Sequence, residues 1–176
     1  TVAVAMIWLW IYSPSASGLM NTVLGVVGIS PLPYLTSPTL ALPSVILVTI
    51  WQGIGLKMLI YLAALQGVNE ELYEAADIDG ANFVQKFRSI TVPMLRPATF
   101  FILVTSLIAN FRTFDLFYKL SEGGPANATN VVTYRIYQTA FQEFRFGLAS
   151  AQSIILLLML IALTFFARRI VGGTDG

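Results

Sequence analysis

The chain has 176 residues, of which 56% are hydrophobic and 11% charged, with a formal net charge of +1, and its mean hydropathy is +0.75. Soluble domains carry about a quarter charged residues, so this composition suits lipid rather than water as its main solvent. A net charge this close to zero supplies no basic field for nucleic acid. The absence of Cys and His excludes disulfides, zinc centres of the usual kind and Ser-His or Cys-His catalysis.

The first element is the apolar run 2–12, which begins directly after Thr1. It is too short for a hydrocarbon core that needs about 20 helical residues. It also lacks the basic residues and cleavage site of a signal peptide. It is read as the trailing part of a spanning helix whose beginning is missing, and the chain as a fragment. Trp8, Trp10 and Tyr12 stand where an interfacial aromatic belt would lie. Residues 13–39 are uncharged and punctuated by Pro14, Gly18, Pro31, Pro33 and Pro38, which predicts a surface loop with one short interfacial helix near 19–27.

A complete span is predicted over 40–65, with Pro43 in its first turn, where a missing N–H costs little. Lys57 lies inside it. A charge near the bilayer centre costs a few kcal/mol on insertion scales, so Lys57 should face a helical bundle or snorkel to an interface.

A polar island follows at 66–96. Asn69 is a candidate N-cap, with Glu70 and Glu71 in a first turn where the helix dipole favours acids. Gly80 should end that helix through a left-handed turn. Asn82 should cap a second helix bearing the apolar stripe Phe83, Phe87, Ile90, which Pro93 should stop. Asp77 and Asp79 fall at the C-terminal end of the first helix, where the dipole disfavours anions. A local rule broken without local compensation marks a functional surface.

The next predicted span, 97–118, starts at Pro97 and carries Ser106, Asn110 and Thr113 at i, i+4, i+7, hence on one helical face. Residues 119–146 return to polar and aromatic character around the turn Gly123-Gly124-Pro125. The final span, 147–169, closes with Arg168 and Arg169. Placing the island and the C-terminus on one side puts five basic residues there (Lys86, Arg88, Arg96, Arg168, Arg169) against four opposite (Arg112, Lys119, Arg135, Arg145). The positive-inside rule then favours a cytoplasmic island by a margin of one. No G-x-x-x-x-G-K-[ST] phosphate loop is present.

The run Glu74-Ala75-Ala76, then Gly80, then Ile90 and Pro93 resembles the EAA loop of the membrane subunits of bacterial ABC importers. Val92 stands where that motif usually has Leu. Further likeness to carbohydrate-type permeases lies in Gly18-Leu19-Met20-Asn21, Ala64-Leu65-Gln66-Gly67-Val68-Asn69, Phe114-Asp115, Gly123-Gly124-Pro125 and Gly147-Leu148-Ala149-Ser150-Ala151. The likeness runs from about residue 8 to residue 170.

The resemblance implies an all-α polytopic transmembrane bundle, N-terminally truncated, with three complete spans and part of a fourth, in the bacterial cytoplasmic membrane. It implies an alternating-access permease subunit for a sugar or related polyol, and not an enzyme. The implied partners are a second permease, a cytoplasmic ATPase dimer and an extracytoplasmic solute-binding protein. ATP and magnesium would belong to the ATPase, and this chain would bind no cofactor or metal. The loop 66–96 would couple to the ATPase through Glu74, Ala75, Ala76, Asp77, Asp79, Gly80, Ile90 and Pro93. Trp51, Gln52, Gly53, Ser106, Asn110 and Thr113 would line the solute pathway, the other reading of these polar groups being helix–helix hydrogen bonding. The alternative function, an ion-coupled secondary transporter without an ATPase partner, would put an acid at mid-membrane or pair Gly/Pro interruptions in its helices. Every acid here falls outside the central portions of the spans.

Overall fold

The computed structural model describes residues 2–15, 18–112 and 114–171, and among these all regular structure is helical. In chain order the elements are α1 (Val2–Ile11), α2 (Leu19–Val26), α3 (Ala41–Gln66), α4 (Glu71–Ile78), α5 (Phe83–Lys86), a π-helical turn (Phe87–Thr91) and α6 (Val92–Met94), then α7 (Arg96–Arg112), α8 (Asp115–Ser121), α9 (Val132–Tyr137), a second π-helical turn (Gln138–Gln142) and α10 (Phe146–Val171). They form two compact units. One takes the described residues up to Gln52 together with Asn110–Leu157, and the other takes Gly53–Ala109 together with the described residues from Leu158 onward.

Among the described residues, α3 and the segment Phe146–Arg169 of α10 are long and apolar enough to cross a membrane. Both are apolar on every side, the pattern of a helix with no aqueous face. A third candidate exists only if Phe83–Met94 and Arg96–Phe111, bent by 59° to each other, count as one broken span. This differs from the span expected at 97–118. α7 stops at Arg112 and a separate α8 begins at Asp115. An acid is disfavoured late in a helix and favoured in a first turn, so restarting at Asp115 reverses the sign of its interaction with the backbone. The restart also lets Leu116 and Leu120 enter a core.

That core, in the first unit, joins Ala5, Trp8 and Tyr12 to Val45, Val48, Leu116 and Leu120. Trp8 and Tyr12 are therefore interior, which corrects their placement in an aromatic belt. Tyr12 stacks on Tyr34 with centroids 4.9 Å apart, and its hydroxyl donates to the Ser44 carbonyl at 3.2 Å. A buried phenol needs such a partner, and sequence alone does not show that Ser44 supplies one. Trp10 stays exposed.

The loop after α1 is held by Asn21, only 2% exposed. Its amide donates to the carbonyls of Ser13 (3.1 Å) and Leu32 (3.2 Å), and its oxygen accepts the Leu32 N–H at 2.9 Å. One side chain on α2 thus satisfies three backbone groups, one before that helix and two beyond it. In the same unit, Gly123 is left-handed (φ 78), and a Cβ there would lie 2.7 Å from the Tyr134 ring. Thr129 is fully buried, bonded to the Ser121 hydroxyl at 2.7 Å and the Gly124 carbonyl at 2.8 Å. The Asn127-Ala128-Thr129 triplet thus serves the loop's own architecture.

In the second unit, Pro93 does not stop its helix as expected. The backbone widens into the π-helical turn and Pro93 falls in the first turn of α6, where its missing N–H leaves nothing unpaired. The break comes two residues later, at Leu95. Tyr61 on α3 donates to Thr99 Oγ1 on α7 at 3.1 Å, tying the two helices together.

Replacing Asn21 by Ala leaves the half-buried Leu32 N–H and two carbonyls without these partners, which should destabilise the protein by about 1–3 kcal/mol. Denaturant unfolding in detergent checks this, and a change below about 0.5 kcal/mol would contradict the staple.

Candidate functional site

The polar island folds as an elbow. At its start, Asn69 Oδ1 accepts the Glu71 N–H at 3.0 Å, and its amide donates to Glu71 Oε2 at 3.0 Å. α4 ends through a left-handed Gly80 (φ 76). There the Ala81 N–H reaches the Ala76 carbonyl (2.9 Å) and the Gly80 N–H reaches that of Asp77 (3.0 Å). These are the two bonds of a Schellman closure. α5 opens with a reciprocal capping box: Asn82 Oδ1 accepts the Gln85 N–H (2.9 Å), while Gln85 Oε1 accepts the Asn82 N–H (2.8 Å). The Asn-x-x-Gln spacing was the available signal for Gln85's part in this.

Two side-chain clasps close the elbow. Tyr73 and Thr91 share a hydroxyl–hydroxyl bond of 2.8 Å, and Lys86 Nζ lies 2.6 Å from Asp77 Oδ1. Asp77 is therefore compensated, contrary to the expectation that both acids at the end of α4 stand unrelieved. The lysine comes nine residues later and reaches back only because the chain reverses at Gly80. An exposed pair of this kind is worth at most about 1 kcal/mol. Asp79, by contrast, has no ion-pair partner among the described residues.

The motif residues divide by exposure. Glu74, Ala75, Asp77, Asp79 and Gly80 are exposed, whereas Ala76, Ile90 and Pro93 are half-buried. The tip carries a surface that sequence reading missed: Ile78, Phe83 and Val84 are 88%, 79% and 68% exposed. Glu74 and Ile78 share a helical face at i, i+4. A cavity of about 310 Å³ lies among Tyr73, Phe83, Lys86, Phe87 and Thr91.

The residues assigned to a solute pathway are divided between the units, with Trp51, Gln52 and Asn110 in the first and Gly53 and Ser106 in the second. Trp51 meets Trp8 edge-on, with ring centroids 5.6 Å apart. It lines an apolar cavity of about 310 Å³ with Ile7, Ile11, Leu19, Met20 and Val23. Gln52 is exposed. Gly53 does not leave empty space, because the Lys57 side chain lies over it. Ser106 is half-buried and Asn110 exposed; Thr113 lies outside the described residues. Asn110 lines a cavity of about 480 Å³ with Thr49, Phe111, Phe117 and Asn130. Thr49 and Asn130 were not anticipated. Asn130 donates to Gln138 Oε1 at 3.1 Å, yet its own Oδ1 is buried without a hydrogen-bond partner, leaving an acceptor for another donor.

The model of the binding-protein-dependent transport system inner membrane component matches residues 1–174. The chain belongs to this family. Among the members it is similar to, the sn-glycerol-3-phosphate transport system permease protein UgpA of Agrobacterium fabrum is 38% identical over 167 residues, covering 94% of this chain and 56% of the relative. The arabinooligosaccharides transport system permease protein AraP of Bacillus subtilis is 32% identical over 177 residues, covering 100% of this chain and 56% of the relative. A chain of the bacterial alginate ABC transporter, solved in complex with an alginate pentasaccharide-bound periplasmic protein, superposes with a TM-score of 0.84 at 29% identity, over 97% of this chain and 59% of that one. The chain thus spans little more than half the length of the relatives it matches. Its fold is the all-helical permease fold of a membrane protein, and the acidic elbow carries the Glu74-Ala75-Ala76 run and Gly80.

Replacing Gly80 by Val forces a β-branched residue into a left-handed backbone, at a cost of about 1–2 kcal/mol. Hydrogen exchange at the Ala81 amide should accelerate about 5–30-fold, while Gly80→Asn should change it less. Equal exchange in wild type and Gly80→Val would contradict the closure.

Proposed function

We propose that this chain is the membrane-spanning permease subunit of an ATP-driven importer in the bacterial cytoplasmic membrane, moving a sugar or related polyol by alternating access. The observation that carries this reading is the elbow: a polar, doubly capped helix pair with an exposed apolar tip, joined directly to two apolar helices. ATP hydrolysis, with its magnesium, belongs to a cytoplasmic ATPase dimer. A second permease completes the pathway and an extracytoplasmic solute-binding protein delivers the cargo. The named cargoes of the similar proteins, glycerol phosphate, arabinooligosaccharide and alginate, support the substrate class.

The coupling follows from rigidity. Caps at Asn69, Gly80 and Asn82, with the clasps Tyr73–Thr91 and Asp77–Lys86, leave the elbow little freedom to flex on its own. A push on Ile78, Phe83 and Val84 therefore passes through α6 to α7, and through the Tyr61–Thr99 bond to α3. The apolar tip seats in a cleft of the ATPase. Glu74 and Asp79, exposed and negative, meet basic residues there; losing one partner of a desolvated pair costs about 2–5 kcal/mol. Along the proposed pathway, Asn110, Thr49 and Asn130 line one cavity and offer amide and hydroxyl groups to a polyhydroxylated solute. An ion-coupled mechanism is disfavoured by the composition of the spans, since α3, α7 and α10 contain no Asp or Glu.

In the complete reconstituted importer, Glu74→Lys and Gly80→Phe should each lower cargo-stimulated ATP hydrolysis by about tenfold or more, with subunit amounts unchanged. Unaltered stimulation in both variants would refute the coupling role.

A further inference from the structure

Lys57 is the single charged residue of α3, and its position in the helix is informative. Gly53, Lys57, Ile60, Tyr61 and Ala64 are the half-buried positions of the helix within the second unit, while Ile54, Leu56, Met58, Leu59 and Leu62 are exposed. Lys57 thus shares the helical face of Tyr61, whose hydroxyl bonds to α7. It is on the packed side of the helix, not the outer one.

Its ammonium does not seek the nearer helix end. Lys57 lies closer to Gln66 than to Ala41, so a snorkelling side chain would run toward the end of α3. Instead Nζ and Cε lie 3.4 and 3.7 Å from the point where a Gly53 Cβ would be, following the N-terminal lean of helical side chains. Gly53 is half way along α3. A Cβ at 53 would meet the amine at ordinary van der Waals distance, so the ammonium lies directly against Gly53, at mid-helix.

No acid pairs with Lys57 among the described residues, and α3, α7 and α10 contain no Asp or Glu. A cation held at mid-span faces a bundle interior or a water-filled cavity and pairs with an opposite charge or with backbone carbonyls; none of these helices provides an acid. Lipid phosphates lie at the membrane surface, far from the middle of a spanning helix. A transported solute, by contrast, must pass the middle.

We propose that Lys57 reads an anionic group on the cargo, a carboxylate or phosphate carried by an acidic or phosphorylated sugar or polyol. This rests on the permease reading above and narrows its substrate class. An ammonium on a flexible stem acts as a point charge that suits either anion. The contact need last only for the passage, so a single unpaired lysine is enough, where a tight, multidentate site would retain the cargo.

The test uses the complete importer in proteoliposomes and a panel of paired probes: glycerol and sn-glycerol 3-phosphate, galactose and galacturonate, galactobiose and digalacturonate. Wild type should take up the acidic member of at least one pair about tenfold faster than its neutral counterpart. Lys57→Met should erase that preference, and Lys57→Arg should keep most of it, with the same amount of assembled complex. Preference for neutral probes, or an acidic preference that survives Lys57→Met, would overturn the inference and leave the permease reading standing. A Lys57→Met importer that no longer assembles, while Lys57→Arg does, would make Lys57 a structural charge of the complex, also against the inference. No uptake of any probe by an assembled, ATP-hydrolysing wild type would remove the sugar or polyol reading itself, and the inference with it.

Discussion

Hydrocarbon offers no hydrogen bonds to a peptide group, so a chain this apolar must satisfy its backbone within helices and can leave them only where something replaces the missing partners. The main interruption inside the second unit is the reversal at Gly80. There the replacement is local: a Schellman closure ends one helix and a reciprocal capping box starts the next. Because the reversal is held by its own bonds, the elbow can stand as a finished object. Its side chains are then free to be apolar at the tip and acidic on the flank, an arrangement unsuited to lipid.

This explains why the elbow and the spans solve different problems with the same element. α3 and α10 are long, uniformly apolar and little buried within the chain, as helices that expect lipid or other subunits around them should be. α4 and α5 are short, capped and clasped, since a short helix needs its ends satisfied. Lys57 is the exception within the spans. Its cost in hydrocarbon is met by no acid among the described residues, and its placement over Gly53 argues for a role at mid-membrane.

Much of this was legible in sequence. The left-handed Gly80 and the cap at Asn82 follow from rules linking one residue type to one backbone state. The extent of α3 follows from a long apolar run, opened by an early proline and carrying one charge, Lys57. What escaped was set by partners distant along the chain. Trp8 and Tyr12 look interfacial until Val45, Val48 and Leu116 close around them. Asp77 looks uncompensated until the reversal brings Lys86 to it. Pro93 reads as a stop because the π-helical turn that accommodates it has no sequence marker, and the break after Arg112 depends on where Leu116 and Leu120 find a core. The exposed tip of Ile78, Phe83 and Val84 could have been noticed as apolar residues flanking a glycine reversal, but apolar residues beside spanning helices attract no attention by type alone.

The central claim is that the elbow is the contact through which an ATPase drives this subunit. The chain has no cysteine, so a single Ile78→Cys substitution provides a unique chemical handle at the tip. In the complete importer with a cysteine introduced on the rim of the ATPase cleft, oxidation should join the two subunits in one disulfide-linked band, with a yield that changes between nucleotide-free and ATP-bound states. Labelling of that cysteine by a membrane-impermeant maleimide from the outside of intact cells, with no cross-link to the ATPase, would contradict the account.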